Sequence, residues 1–267
     1  MSIQNLYTAA TGMEALQTKL DVIANNLANV NTTAFKRDRC NFEDLFYRHE
    51  ILPGAQDSAG NLTPVGVQVG LGTRVQSTQT DFRQGALQQT TRQLDVAIEG
   101  QGFFVVTDPS GQPVYTRAGN WNINNNGQIV VGSANTGRLL DPPISIPNDT
   151  TGISISSDGI VAVTQSGNPQ LQQVGQIQLA TFQNPQGLLK LGENLYQETS
   201  ASGSPVLNNP GQNAAGTLQQ TMLEASNVEP VNELIDLITT QRAFELNAQT
   251  VQAGDQVLQL IANLRRF

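Results

Sequence analysis

Cys40 and His49 are the only cysteine and the only histidine in the chain. A thiol beside an imidazole could form a nucleophile–base pair. No accompanying Asn or Asp motif would orient the ring, and both residues lie in an irregular stretch, so a surface or interface role is expected. A single cysteine excludes a disulfide framework, and a Cys/His zinc site is not expected. Asp95, Glu99 and Asp108 could supply the paired carboxylates of glycoside hydrolysis. Asp108, however, opens the turn Asp108-Pro109-Ser110-Gly111, while Asp95 and Glu99 flank a predicted strand. Gly100-Gln101-Gly102 has the look of a phosphate loop, but Phe103-Phe104-Val105-Val106 follows it as a strand. A phosphate loop would need a helix there to aim its N–H groups. Trp121, the sole tryptophan, could stack on a sugar; a hairpin residue covering a β-core is the better expectation. No catalytic residue, metal ligand or cofactor is therefore expected.

The elements that would have to position such residues are easier to see. Leu6, Met13, Leu20 and Leu27 recur every seven residues, with Ala9, Leu16, Ile23 and Val30 recurring at an offset of three. This is a coiled-coil-like seam over residues 3–31. Near the other end, Leu237, Phe244, Val251 and Leu258 repeat the seven-residue period. Their companion row, Thr240, Asn247, Gly254 and Ile261, is mostly small or polar, which allows close backbone approach but little burial. Ser226 or Asn227 would cap this second helix, with Pro230 in its first turn. Between the helices, short β-branched runs are punctuated by Gly, Pro and Asn-Gly signals, with hairpin turns at residues 124–127 and at Asp158-Gly159.

The fold class expected is α+β: paired N- and C-terminal helices, a long loop or ribbon, and a central, mainly antiparallel β-domain. The divisions are residues 1–35, 36–80, 81–221 and 222–267. Two one-sided helices at opposite ends of a chain satisfy each other most simply, and their outer faces can then pack on neighbouring molecules. The chain reads as a polymer subunit.

Composition narrows the partners. Net charge is −8 with a pI near 4.6, which disfavours nucleic acid and anionic membrane surfaces. Charged residues make up 13%, against roughly 25% in an ordinary soluble domain; such a neutral polar surface repels itself weakly and suits packing of like on like. No run approaches the ~18 apolar residues of a membrane span. The first residues lack the basic and apolar regions of a secretory signal, so the chain is expected to be cytosolic or to leave the cell by a route that reads no such signal.

One puzzle remains in "LDVIANNLANVNTTAFKR". Asn25, Asn26 and Asn29 sit inside a helical stripe although Asn prefers caps and turns. This segment resembles the N-terminal signature of the flagellar rod and hook proteins, the axial family of the bacterial flagellum. "VAIEGQGFFVV", "YTRAGNWNINNNGQIV", "GENLYQETSASGSP" and "LEASNVEPVNELIDLITTQRAFELNAQ" are similar to its other landmarks, in order and over nearly the whole chain. Length and "FEDLFYRHEILPGAQ" favour the distal-rod branch over the hook branch and the shorter proximal-rod branch. One departure is Ala34, where the family usually has Gly, leaving the helix exit less conformational freedom.

The resemblance implies a structural polymer, not an enzyme. The terminal helices of each subunit would pack with neighbours through Leu6, Met13, Leu20, Leu27, Val30, Leu237, Phe244, Val251 and Leu258. Asn25, Asn26 and Asn29 would fix register across subunit interfaces. Phe46, Tyr47, Ile51, Leu52, Pro53 and Pro64 would form a stretch that lies across neighbours and stiffens a rod. Implied partners are other copies of the chain, proximal rod proteins, the hook protein, the periplasmic and outer-membrane rings, and the flagellar type III export apparatus that would carry it out without a cleaved signal. A carbohydrate-binding module and a peptidoglycan-cleaving enzyme are the remote alternatives.

Overall fold

A computed structural model describes residues 3–264 except 55, 57–61, 63, 134 and 135. The chain divides into two compact units, one made of residues 1–28, 38–80 and 229–267, the other of residues 29–37 and 81–228. The fold is α+β, with a helix towards each end and antiparallel strands between.

The first unit holds two helices and a ribbon. Helix α1, Ile3–Ala28, and helix α2, Pro230–Leu264, carry the two seven-residue repeats. At 1.5 Å per residue α1 is about 40 Å long. Helix α2 starts after Glu229, whose carbonyl accepts from the Glu233 N–H. Asn227 is therefore not its cap; its side chain is used elsewhere, as described below. The ribbon is built from strands β1 (Asp38–Asp44), β2 (Tyr47–Ile51), β3 (Val67–Gly70) and β4 (Thr73–Thr80). β1 pairs antiparallel with β4, and β2 with β3, each pair shifting register once. Leu45 N–H to Gly72 O and Leu71 N–H to Phe46 O carry the ladder between the two pairs.

The second unit is antiparallel throughout its ladders. Its largest sheet is centred on Phe103–Thr107, which is bonded on different stretches to Pro113–Thr116, Thr136–Leu140 and Leu179–Thr181. A meander of Thr150–Ile155, Ile160–Gln165 and Asn168–Gln176 makes a three-stranded sheet. The alternation of Phe103 to Val106 divides their side chains between two cores. Phe104 and Val106 enter a large cluster with Ile98, Trp121, Ile129, Val161 and Leu179. Phe103 and Val105 enter a smaller one with Tyr115, Leu188 and Tyr196. Both expected hairpin turns form: Gly127 N–H bonds to Asn124 O, and Gly159 N–H to Ser156 O, each glycine at positive φ. Val206–Asn208, inside a stretch whose Gly/Ser/Pro/Asn content suggests a linker, adds a strand beside Leu179–Thr181.

Candidate functional site

The helix pair is antiparallel. Gly254 faces Leu6, Gly12 faces Asn247, and Asn26 meets Glu233, so progress along α1 is answered by equal retreat along α2. The approach is close because the companion row is small. A Cβ added at Gly254 would lie 2.5 Å from Leu6 Cδ2, and one at Gly12 would lie 3.3 Å from Asn247 Nδ2. Glu233 and Thr240 of that same small or polar row are fully covered, whereas Leu237, Phe244, Val251 and Leu258 are only half-buried. On α1, Ala9, Ala15, Ile23 and Asn26 are buried, and Leu6, Met13, Leu20 and Leu27 are half-buried. The large apolar residues thus flank a tight polar and small-residue contact.

Asn26 is one source of the amide puzzle's answer. Its amide donates to Asp38 O at 2.8 Å and to the Glu233 carboxylate at 3.3 Å, and its carbonyl accepts from Asp38 N–H at 2.9 Å. It joins α1 to the first turn of α2 and to the start of β1. Glu233 lies at the N-terminal end of α2, where the helix dipole favours a negative charge. Asn29 accepts from the Thr32 hydroxyl in the turn that follows α1, and Asn25 lies on an exposed face. Val30 is half-buried in the second unit.

Ile235 and Ile238 of α2 remain exposed together with Val231 and Leu234, an apolar stripe at helical spacing. Leu246, Leu260 and, on α1, Tyr7 are also exposed. In the ribbon Phe46, Tyr47, Ile51 and Leu52 are exposed, Phe46 at 87%, as are Pro53 and Pro64.

A second polar centre lies within the second unit. Lys36 and Glu224 are fully buried with Lys36 Nζ 2.5 Å from Glu224 Oε1, and Arg117 reaches Glu224 Oε2 at 3.2 Å. Lys36 also donates to Arg83 O, Arg117 to Gly100 O, and Gly85 N–H to Glu224 Oε1. Burial lowers the Lys36 pKa against the opposing pull of Glu224. Ala34, at φ 58°, donates its N–H to Glu224 O. Asn227 accepts from Arg37 N–H at 2.7 Å and donates to Asp81 O and Arg83 O. The TTAFKR and LEASNV segments lie far apart in the sequence. That they meet was hidden, because a buried ion pair has no periodic signal.

The residues with covalent potential are dispersed. Cys40 pairs across the ribbon with Thr78, and His49 with Gln68. Asp95 lies 3.7 Å from Arg92, Glu99 accepts from Gln219, and Asp108 is held by Arg138. Gly100 and Gly102, at φ 109° and 131°, turn the chain between two strands. Trp121 is buried edge-on against Phe104, with ring centres 4.8 Å apart. No cluster of three or more potential metal ligands exists among the described residues, and none of their helices is long and apolar enough to cross a membrane.

Three stretches of the chain match family models. Residues 6–36 match the model "Flagella basal body rod protein", which ends at the buried lysine. Residues 97–163 match "Flagellar hook protein FlgE/F/G D1 domain", and residues 219–264 match "Flagellar basal body rod FlgEFG protein C-terminal", which contains Glu224, Asn227 and α2. The flagellar basal-body rod protein FlgG of Caulobacter vibrioides is 47% identical over 98% of this chain and 100% of its own length. The FlgG protein of Bacillus subtilis is 39% identical, covering 99% of this chain and 100% of itself. The flagellar hook-basal body complex protein FlhP of the same organism is 30% identical over 98% of this chain and 100% of its own length. The paired helices, the β-unit and the signatures that meet at Glu224 are carried by one continuous similarity, and the chain belongs to the flagellar basal-body rod protein family, of the FlgG type.

Proposed function

We propose that copies of this chain polymerise into the distal rod of the flagellar basal body, the rigid shaft that transmits torque from motor to hook. The observation that carries the reading is the exposed stripe Val231, Leu234, Ile235 and Ile238 on α2. Pairing with α1 uses the face of α2 that bears Glu233, Thr240 and Gly254, and leaves this stripe to water. Each of the four is already partly covered, so burying the rest against another copy would be worth about 1 kcal/mol each before the costs of association. Contacts of unlike faces that do not close a ring extend into an open helix, the form a shaft requires.

In this reading Leu6, Met13, Leu20, Leu27, Leu237, Phe244, Val251 and Leu258, each half-covered within one chain, complete their burial between chains. Asn25 and Asn29 serve the same interfaces, while Asn26 sets the register of the helix pair within its own subunit. The ribbon residues Phe46, Tyr47, Ile51, Leu52, Pro53 and Pro64 lie across neighbours and stiffen the assembly. The shaft meets proximal rod proteins at one end and the hook protein at the other, and turns within the periplasmic and outer-membrane rings. Export through the flagellar type III apparatus, as an unfolded chain, brings the subunit to the growing tip.

Electron microscopy of basal bodies from a strain lacking the gene tests the proposal. A rod that stops short of the outer membrane, without a hook, is the expected result. A complete rod lacking only its hook would move the chain to the hook, and an unaltered basal body would overturn the reading.

A further inference from the structure

We propose that the cleft bounded by residues 81–84, 100–102 and 181–186 binds a carboxylate carried on an apolar or aromatic group. The cleft lies wholly within the second unit and has a volume of about 660 Å³. Phe82, Phe103 and Phe182 line it together with Arg117, Asp81 and Arg83. Aromatic walls with charged groups among them, at this volume, are what a small-ligand site needs: the rings give burial and the charges fix orientation.

Charge at this cleft favours an anion. Lys36 and Arg117 share one carboxylate, Glu224, and all three are buried. Burial lowers the Lys36 pKa, and the Arg117 charge lowers it further against the pull of Glu224. Asp81 and Arg83 pair with each other at the cleft, the Arg83 side chain 79% exposed. With Lys36 protonated, three cations therefore stand against two carboxylates, in a chain whose net charge is −8. Arg117 donates from Nη1 to Glu224 and from Nη2 to Gly100 O, while its buried Nε has no hydrogen-bond partner among the described residues. A buried donor without an acceptor is costly. An anion at the Arg117 wall supplies both an acceptor and a counter-charge, and a carboxylate matches the planar guanidinium.

The walls are fixed before any ligand arrives. Phe103 meets Phe82 and Phe182 edge-on, with ring centres 5.5 and 5.8 Å apart, and Arg117 stands over the Phe103 ring at 5.5 Å. Groups already held in place lose little freedom on binding, so of the two arginines only the exposed Arg83 has to be ordered. The carboxylate can arrive on a free small acid or as an Asp or Glu side chain of a second copy; only the second source rests on the polymer reading above.

Benzoate is the probe, titrated into the full chain as a dilute monomer while the amide resonances of Gly102, Phe103 and Phe182 are followed. A dissociation constant on the order of 1 mM is expected for an acid of this size. Benzamide, which has the same shape without the charge, should bind about tenfold more weakly. Arg83→Gln removes a cation and leaves the Asp81 carboxylate in the cleft without it, so binding should weaken about threefold. Asp81→Asn removes the competing carboxylate and should tighten binding by a similar factor, roughly threefold. Opposite shifts from two neighbouring substitutions, with Trp121 emission unchanged in both, are not what a loss of folding would give. Equal binding of benzoate and benzamide overturns the proposal, as does the absence of shifts at about ten times the expected constant. Both variants moving the affinity in one direction overturn it too. Sedimentation of the concentrated chain at saturating benzoate separates the sources: oligomers that dissociate identify an acidic side chain of a second copy, and a bound benzoate that leaves association unchanged identifies a free acid. The rod reading is tested by the deletion strain instead, so the two fail separately.

Discussion

Lys36 and Glu224, 188 residues apart, form an ion pair with both side chains fully buried. Glu224 faces two cations and a backbone N–H, whereas Lys36 has Glu224 and one carbonyl. Removing the carboxylate leaves Lys36 and Arg117 buried together without their common counter-ion. Glu224→Ala should therefore destabilise the β-unit by about 3–5 kcal/mol, the cost of breaking a buried pair. Lys36→Met leaves Glu224 with two partners and should cost clearly less. Urea unfolding followed by Trp121 fluorescence checks the order; equal losses would show that the carboxylate is not the hub.

Ala34 is buried at φ 58°, a conformation that costs an L-residue roughly 1–2 kcal/mol. Ala34→Gly relieves this strain but gives the unfolded chain more freedom and removes a buried methyl. A net gain of about 0.5–1 kcal/mol is expected, read as a higher urea midpoint with the slope unchanged. A loss of stability would mean that methyl packing outweighs the backbone term.

The Tyr115 hydroxyl is pushed up to about 12 by burial and then by the nearby Glu198 charge. Between pH 10 and about 12 the unfolded chain releases this proton while the folded chain keeps it, so stability falls as pH rises. The whole loss is limited to about 3 kcal/mol. Lys36 acts with the opposite sign: its lowered pKa adds stability as pH rises through the folded value, and the gain is complete above the unfolded value near 10.5. Tyr115→Phe should flatten the alkaline fall, and urea midpoints from about pH 9 to 12 measure it. A fall that is just as steep without the hydroxyl would assign the alkaline transition to another group.

The outer and inner faces of α2 separate what one chain needs from what assembly needs. Ile238 is exposed, so Ile238→Asp should leave the stability of the monomer within about 0.5 kcal/mol. It should still stop rod assembly, since it would bury an unpaired carboxylate between copies. Leu27→Asp and Phe244→Asp, at half-covered positions, should weaken the helix pair as well as assembly, with the β-unit still folded. Swimming assays and amide exchange together distinguish these outcomes. Normal motility of Ile238→Asp would remove the stripe from the assembly surface.

How far the sequence made this legible differs by element. The seven-residue rows identified both helices, because an apolar repeat is a local signal. Asn-Gly and Asp-Gly found the hairpins for the same reason. Burial rank within the pair was less visible: the small and polar companion row was expected to allow close approach but little burial, yet Glu233 and Thr240 are covered more completely than Leu237 and Phe244. Small and polar residues admit close backbone approach, and that depends on the facing helix, which the pattern of one strand of sequence does not contain. Asn227 misled for a related reason. An Asn before a helix predicts a cap, but its amide is taken by three backbone partners from distant segments.

Two-stranded hairpins are marginal alone in water, and every residue of β2 is exposed. Phe46, Tyr47, Ile51 and Leu52 therefore present apolar surface without a core beneath it. Part of the stretch, residues 55, 57–61 and 63, lies outside the described residues. At Gly66 a Cβ would fall 2.2 Å from Ile51 O and 2.8 Å from Pro53 Cδ, so the chain passes close to itself just beyond β2. Pro53 and Pro64 reduce the entropy lost if this segment docks on another copy. Deleting residues 50–66 would remove the outer end of the β2–β3 pair and keep the β1–β4 ladder, including Asp44 opposite Thr73. Export and helix pairing should persist, because neither α1 nor α2 is altered. The rods should curve or assemble unstably, as measured by electron microscopy of isolated basal bodies. Straight rods of normal stiffness from the deleted protein would show that stiffness comes from the helical core alone and that this stretch has another role.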